Sequence, residues 1–219
     1  MTNILDQFAP HGALAAPLLQ HLSQAETDTA HDLSHILRVW QNVRAIARTD
    51  GGDLRVLAAA TLLHDIVNPP KDAPNRQFAS RMSASQAADI LSQLGEDAAF
   101  IDQVAHAIEA HSFSAGITPK TLEAQILQDA DRLDALGYIG VARCLAVSGG
   151  LGRAIYDPLD PTAKDRALDD QSFAMDHFQS KLLHLKDGFQ TPTGRSLAEA
   201  RHNVIQDFYN GLMQEVGAP

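Results

Sequence analysis

Apolar residues recur at three- and four-residue steps along most of this chain, and this helical period limits its fold more than any other feature. Between residues 32 and 48, for example, Leu33, Ile36, Trp40 and Val43 follow the spacing of one helix face. No segment shows the strict alternation of a half-buried strand, and no internal repeat is present. The pattern predicts an all-α fold, a single-domain helical bundle.

The length and composition narrow the class of protein. A chain of 219 residues suits one domain, or one domain with a small lobe. The single cysteine, Cys144, excludes an intrachain disulfide, and a cytoplasmic location is predicted. No signal peptide or membrane-spanning run is found, so no membrane partner is expected. The net charge of −10 argues against a nucleic acid polymer but permits a small anionic substrate beside a metal.

Local signals predict where several helices begin and end. Asp53 is expected to cap a helix that continues to about Ile66. Ser83 and Gln86 form a capping-box pattern, which predicts a second helix start. Thr118, which precedes a proline, is expected to cap a third helix.

The C-terminal part of the chain contains an irregular stretch between helices. Residues 148–170 are rich in glycine, proline and aspartate, which predicts a mobile loop that closes over a substrate. Two helices are expected after it, at about residues 173–186 and about residues 196–215.

A histidine and an aspartate stand side by side at the end of an apolar helix, at His64 and Asp65. An imidazole nitrogen and a carboxylate oxygen together suit a borderline divalent metal. His35 lies on the preceding helix, one turn after His31, so the two share a helix face. Taken alone, each of these is more typical of a surface or core residue than of a ligand.

Three acids, Asp129, Asp131 and Asp134, fall in a later helix that is otherwise apolar. Asp131 and Asp134 step by three from Gln128 and share its face. Burying two carboxylates on one face is unfavourable unless a cation or hydrogen-bond donors compensate. Arg132 or a metal ion could supply that compensation.

The order of these pieces resembles the HD superfamily of metal-dependent phosphohydrolases. The matching motifs are a histidine helix, a His-Asp pair ending an apolar helix and an aspartate in a later helix, at residues 31–39, 62–66 and 129–135. Further matches, at residues 68–72, 74–76, 111–114, 140–143, 181–183, 193–195 and 201–202, resemble one bacterial branch, the YedJ/YpgQ-like hydrolases. The resemblance covers about residues 20–215, and four ordered ligands are more specific than any lone motif.

The resemblance implies one HD domain over residues 1–219, with a core at about 20–147 and C-terminal helices at about 171–215. It implies one divalent ion, and the ligand types favour Mn, with Mg, Co, Ni, Fe or Zn as alternatives. The implied ligands are His35, His64, Asp65 and Asp131. His31 is expected beside them.

The resemblance also implies the chemistry. The metal polarises a phosphoryl oxygen and lowers the pKa of a bound water, which then attacks phosphorus. Nucleoside or deoxynucleoside triphosphates are the implied substrates, with a monophosphate and pyrophosphate as products. A 5′-nucleotidase or another phosphomonoesterase on the same site is one alternative. A non-catalytic nucleotide-sensing module is another.

Roles for individual side chains follow from the same resemblance. The residues expected to take part in catalysis are His64, Asp65, His111 and Asp134, with His111 as an acid or phosphate donor. The residues expected to contact the substrate are Lys71, Asn75, Arg76 and Lys181. Glu109 and Glu123 compete with Asp134 for the role of general base.

Two other HD branches fit less well. Asn68-Pro69 stands where alarmone hydrolases carry two acidic residues, and no Gly-Tyr-Pro signature of the cyclic-dinucleotide branch is found. A second metal held by His106 and His111 is disfavoured, because residues five apart do not share a helix face. The sequence does not determine the oligomeric state, and it is compatible with a homo-oligomer.

Overall fold

The structure is a computed structural model that describes residues 4–22, 33–69 and 73–217. The described residues form helices and no strand, with one isolated bridge between Ala154 and Phe173. The all-α, single-domain fold predicted from the helical period is therefore confirmed. No helix in this part of the chain is long and apolar enough to cross a membrane.

Nine α-helices can be traced in the described residues. They are α1 (Gly12–Leu22), α2 (Leu33–Asp50), α3 (Leu54–Leu63), α4 (Ala79–Gln93), α5 (Ala98–His111), α6 (Leu122–Leu133), α7 (Gly137–Gly150), α8 (Ala174–Ser180) and α9 (Pro192–Glu215). Short 3-10 helices lie at Ile4–Phe8, Arg76–Phe78, Phe113–Ala115 and Leu182–His184.

The Cα positions cluster in two compact units. The first takes in the described residues up to Asp131 together with Gln190–Thr193. The second takes in Arg132–Phe189 and the described residues from Gly194 onward. The predicted core over about residues 20–147 extends past the end of the first unit.

Helix α3 forms the centre of the first unit. Every residue from Val56 to Leu63 is buried, and α1, α2, α4 and α5 all pack against this helix. Three consecutive alanines, residues 58–60, leave room for the neighbouring helices to approach closely. The end of α3 therefore lies inside the unit, and His64 follows it directly.

Asp53 caps α3 as predicted, because its carboxylate accepts the backbone N–H groups of Arg55 and Val56. The helix ends at Leu63, three residues before the predicted end at Ile66. His64 follows the last turn as the C-cap and keeps helical backbone angles, with φ −60° and ψ −34°, and Asp65 comes directly after it.

The capping box predicted at Ser83 is wrong. Helix α4 begins earlier, at Ala79, and Ser83 is fully buried in its second turn. The Ser83 hydroxyl accepts the N–H of Val67 and donates to the carbonyl of the same residue, at 3.2 and 3.3 Å. Ser83 therefore anchors the chain that follows His64-Asp65 instead of starting a helix.

The helix start predicted at Thr118 is also wrong. Helix α6 begins at Leu122, and the hydroxyl of Thr121 accepts the N–H of Ala124 at 3.2 Å. The cap is thus a threonine three residues further along the chain.

The second unit contains the irregular stretch, although α7 continues to Gly150 and the loop starts later than predicted. Arg166 makes a two-pronged ion pair with the buried carboxylate of Asp176 and lies 4.8 Å over the Phe173 ring. The N–H of Asp169 donates to the same carboxylate at 2.6 Å. These contacts tie the loop to α8, and its closure over a substrate stays a prediction.

The last two helices differ in length from the prediction. Helix α8 ends at Ser180 and a short 3-10 helix follows, whereas a helix to about residue 186 was expected. Helix α9 begins at Pro192, four residues before the predicted start.

The half-buried Cys144 lies on α7. Burial raises the pKa of its thiol, although a hydrogen bond with Ser148 and two basic side chains act to lower it.

Candidate metal centre

Five side chains that the sequence analysis singled out meet beyond the end of α3, within the first unit. They are His35 on α2, His64 and Asp65 after α3, His111 at the end of α5 and Asp131 on α6. The three histidines are buried, whereas the two carboxylate side chains keep 24% and 27% of their exposure. The cluster is therefore closed on its imidazole side and open to a ligand on its carboxylate side.

The first group of donors is formed by His35, His64 and Asp131. The Nε2 atoms of His35 and His64 lie 3.2 Å apart. The Oδ1 atom of Asp131 lies 3.5 Å from Nε2 of His35 and 3.9 Å from Nε2 of His64. One atom from each side chain therefore points to a common centre.

The second group shares His64 and adds Asp65 and His111. The two oxygens of Asp65 face different rings, with Oδ2 lying 3.6 Å from Nε2 of His64 and Oδ1 lying 3.5 Å from Nε2 of His111. The rings of His64 and His111 pack edge to face, with 5.0 Å between their centroids. Within each group, all donor atoms lie within 4.8 Å of one another.

Backbone carbonyls fix the proton on two of the three imidazoles. Nδ1 of His64 donates to the carbonyl of Thr61 at 2.8 Å, and Nδ1 of His111 donates to the carbonyl of Ile108 at 2.6 Å. With Nδ1 protonated in the neutral ring, Nε2 carries a lone pair. Both lone pairs face the cluster, as in histidines that bind a metal through Nε2.

The protonation of His64 favours metal binding. Burial lowers the pKa of His64, and the neighbouring rings of His111 and His35 lower it further, against the opposing charges of Asp65 and Asp131. The ring is therefore held in the neutral form, which is the form that binds a metal.

His111 differs from His64 in its charge balance. Burial lowers its pKa too, but the hydrogen bond and charge of Asp65, with a smaller effect of Asp131, outweigh burial, so that the pKa lies above its ordinary value. Of the two histidines whose Nδ1 proton is fixed by the backbone, His111 is thus the one that more readily holds a second proton.

The donor set suits a divalent cation. Two donors bound about 2.1 Å from one ion at adjacent positions are separated by about 3.0–3.4 Å, and the 3.2 Å spacing of His35 and His64 falls in that range. Nitrogen and carboxylate donors together favour a borderline metal. The residues His35, His64 and Asp131 could hold such an ion, and Asp65 and His111 form a second group beside them.

A buried amide fixes the distance between α2 and α6 at this centre. Nδ2 of Asn42 donates to the carbonyl of Ala130 at 2.9 Å. Asn42 lies two turns after His35 on the same helix, and Ala130 directly precedes Asp131. The hydrogen bond therefore holds a histidine and a carboxylate donor in register.

Two further polar residues of α6 are fully occupied by hydrogen bonds. Gln128 donates through Nε2 to the carbonyl of Ala110 at 2.7 Å and accepts from Nε2 of Gln190 at 3.3 Å. The buried carboxylate of Asp129 accepts from the N–H groups of Gln190 and Thr191 and from the Thr191 hydroxyl, each at 2.8 Å. Hydrogen-bond donors, not a metal, thus compensate Asp129.

Comparison with known proteins agrees with this geometry. The family model of the HD domain matches residues 32–136. The YpgQ protein of Bacillus subtilis is 33% identical to this chain over 195 residues, which cover 87% of each protein. The chain belongs to the HD superfamily. The resemblance inferred from the order of the motifs is therefore confirmed.

Solved structures of HD proteins share the fold over nearly the whole chain. An HD-superfamily hydrolase from Bacillus thuringiensis matches with a TM-score of 0.72 at 29% identity, covering 97% of this chain and 100% of its own. Bacillus subtilis YpgQ in complex with ADP matches with a TM-score of 0.71 at 30% identity, covering 96% and 95%.

The described part of the loop after the His-Asp pair of this HD protein contains two of the predicted substrate residues. Arg76 donates to the side chain of Asn68 and to the carbonyl of Pro69. The exposed Asn75 lies 3.9 Å from the sulfur of Met82. Arg76 thus steadies the start of this loop. Lys71, with His31 and Asp32, lies outside the described residues.

Two other predicted residues of the HD protein lie in the second unit. Asp134 is buried, and its carboxylate accepts a hydrogen bond from Arg143 at 2.5 Å. Lys181 is exposed and follows the last residue of α8. The catalytic role of Asp134 and the substrate contact of Lys181 stay predictions.

His106 takes no part in the centre of this HD protein. Its Nε2 accepts the N–H of Lys120 at 3.0 Å, at the surface of the first unit.

The sequence analysis missed Asn42, Gln128 and Asp129 as supports of the centre. Their one signal was a polar side chain set among apolar helix neighbours, which does not identify the partner.

Proposed function

We propose that this HD protein is a metal-dependent phosphohydrolase that converts nucleoside or deoxynucleoside triphosphates to a monophosphate and pyrophosphate. The observation that carries the proposal is the cluster of buried histidines whose lone pairs face partly exposed carboxylates. The kinship with HD-superfamily hydrolases supports the reaction class. The complex of YpgQ with ADP supports a nucleotide as the substrate.

The metal ligands in this proposal are His35, His64, Asp65 and Asp131. The bound ion, for which we propose Mn, would supply a Lewis acid for a phosphoryl oxygen and lower the pKa of a water molecule. Mg, Co, Ni, Fe and Zn are the alternatives to test. The protein contributes buried imidazoles, of which His64 is held neutral by burial that lowers its pKa, and an open carboxylate side that would admit the phosphate.

His111 is proposed to handle a proton at the reacting phosphate. Its Nδ1 is committed to Ile108, so a transferable proton would reside on Nε2, which faces Asp65. The ability to hold that proton despite burial suits a general acid. The candidates for phosphate contacts are Lys71, Asn75, Arg76 and Lys181, and Asp134 stays a candidate base.

The test is a metal-stripped preparation supplied with Mn and a panel of ribo- and deoxynucleoside tri-, di- and monophosphates. Nucleotide products, pyrophosphate and phosphate are assayed separately. We expect monophosphate and pyrophosphate in equal amounts, lost in His64→Gln and retained in His106→Gln, whose histidine lies outside the centre.

Other outcomes would redirect the proposal. Phosphate released from monophosphates would indicate a 5′-nucleotidase. Tight binding of Mn and nucleotide without turnover would indicate a nucleotide-sensing module. The same reaction run with each alternative metal at equal concentration would show which ion supports turnover best.

A further inference from the structure

The C-terminal end of α5 leaves backbone carbonyls that need hydrogen-bond donors from outside the helix ladder. The last four carbonyls of a helix have no partner within the helix. In α5 these include the carbonyls of Ile108 and Ala110, which lie inside the first unit. The carbonyl of Ile108 accepts from the His111 ring, and that of Ala110 accepts from Gln128. A side chain thus caps each of them.

These two caps have different consequences for the position of the His111 ring. The contact with Ile108 lies within the same helical turn, so it fixes the ring relative to α5 but not relative to Asp65. The contact with Gln128 joins α5 to another helix, and Ala110 directly precedes His111. The packing of α5 against α3 sets the general separation of His111 from Asp65, and the contact with Gln128 fixes the end of α5 within it.

Gln128 is suited to this task by its own surroundings. It lies three residues before Asp131 and shares its face of α6, so one helix supplies a metal ligand and the clamp on α5. Its side chain is 3% exposed, and both ends of its amide are bonded, to Ala110 and Gln190. A buried amide satisfied at both ends has little freedom to shift.

We propose that Gln128 is a positioning residue that holds His111 against Asp65 through the carbonyl of Ala110. This inference rests on the proposed function, in which His111 handles a proton. Asn42 provides the contrast, because it acts on the group formed by His35, His64 and Asp131. Each amide should therefore control a different property of the centre.

The test compares three near-isosteric variants, Gln128→Met, Asn42→Leu and Gln125→Met. Gln125 is the matched control, since it also lies on α6 and its amide also donates to a backbone carbonyl, that of Pro119 at 3.4 Å. Measurements are kcat and KM for the best triphosphate, the Kd for Mn by titration, and thermal stability. Gln128→Asn, which keeps the amide but is too short to reach, replaces Gln128→Met if the latter fails to fold.

We expect Gln128→Met to lower kcat about 10–100-fold, the size of effect seen for supports of metal ligands, with the Kd for Mn within about threefold. Asn42→Leu should instead weaken Mn binding about 10-fold. In a His111→Gln background, Gln128→Met should produce little further loss of kcat, because its effect runs through that ring. Equal losses with and without His111, or a loss no larger than that of Gln125→Met, would overturn the proposal.

A second readout does not need turnover. In zinc-loaded protein with isotope-labelled histidine, Gln128→Met should shift the His111 ring resonance and leave that of His64 in place. An unmoved His111 resonance would contradict the positioning role whatever the substrate. A shifted resonance in a protein whose wild type hydrolyses no triphosphate would uphold the role of Gln128 and reject the proposed reaction.

Discussion

At the scale of single residues, the centre depends on where each imidazole carries its proton. The carbonyls of Thr61 and Ile108 hold the Nδ1 protons of His64 and His111, and Nε2 of each ring faces Asp65. A helix backbone thus prepares the donor atoms before any ion binds.

Replacing His35 by glutamine should weaken Mn binding by more than about 100-fold, since even outer supports of a ligand are worth about 10–100-fold. The loss is expected because His35 supplies one of the two nitrogens that lie 3.2 Å apart. Titration of metal-free protein with Mn measures the affinity. His106→Gln, at a surface histidine, should bind Mn like the wild type. Equal affinity of all three proteins would remove His35 from the ligand set.

Asp129→Ala should lower the free energy of unfolding by about 2–6 kcal/mol, because one buried and one part-buried N–H group lose their acceptor at about 1–3 kcal/mol each. Denaturant unfolding measures the change. Thr191→Val removes the hydroxyl contact and leaves both N–H bonds, so it should cost about 1 kcal/mol. A larger loss for Thr191→Val than for Asp129→Ala would contradict this account.

The sequence predicted the members of the centre better than their supports. His35, His64, Asp65 and Asp131 are identifiable because their order along the chain is a family signature. The partners of Asp129 lie 61 and 62 residues further along, so no local pattern could reveal them. The unfavourable burial of acids on this helix was foreseen, but whether donors or a cation compensate each one depends on tertiary contacts.

At the scale of secondary-structure elements, the ends of helices decide how the first unit is built. The cap at Asp53 was predictable because donor and acceptor lie within three residues of each other. Ser83 presents a similar local pattern, yet its burial gives the hydroxyl a partner in Val67, sixteen residues away. The presence of a helix can thus be predicted from local sequence. Its first and last residues depend also on tertiary hydrogen bonds, which compete with local ones.

Two glycines of α7 should respond oppositely to alanine. A Cβ at Gly140 would lie 2.2 Å from the carbonyl oxygen of Ala135, so Gly140→Ala should cost about 3 kcal/mol or more. A Cβ at Gly149 meets nothing within 4 Å, so Gly149→Ala should gain up to about 0.5 kcal/mol from helix propensity. Thermal unfolding of both variants measures the difference. Destabilisation of equal size in the two variants would contradict both the contact at Gly140 as the cause and the expected gain at Gly149.

At the scale of the whole molecule, acidic groups in the second unit make stability depend on pH. Hydrogen bonds from the backbone N–H groups of Lys164 and Asp165 lower the pKa of Asp160, and that from His177 lowers the pKa of Asp170. Carboxylates with a lowered pKa stabilise the fold above their unfolded value of about 3.9. That contribution is lost as pH falls from there through the lowered folded values.

The contribution of these carboxylates to the melting temperature should therefore hold steady from about pH 6 to pH 5 and be lost below about pH 4. Scanning calorimetry across that range measures the curve. Asp160→Asn should lower the melting temperature at neutral pH and make the acid fall shallower, whereas Asp207→Asn, on an exposed position of α9, should leave the shape unchanged. An acid limb of the same slope in both variants would contradict the assignment to Asp160.

The lone thiol on α7 gives this chain a built-in attachment point for spectroscopy. Cys144 is half-buried and its pKa is raised, so a maleimide or nitroxide reagent should react slowly, and faster in mildly alkaline buffer. No second cysteine has to be removed first. If the proposed centre binds Mn, a nitroxide at Cys144 would form a spin pair with that ion, and their dipolar coupling would measure how far the thiol lies from the centre.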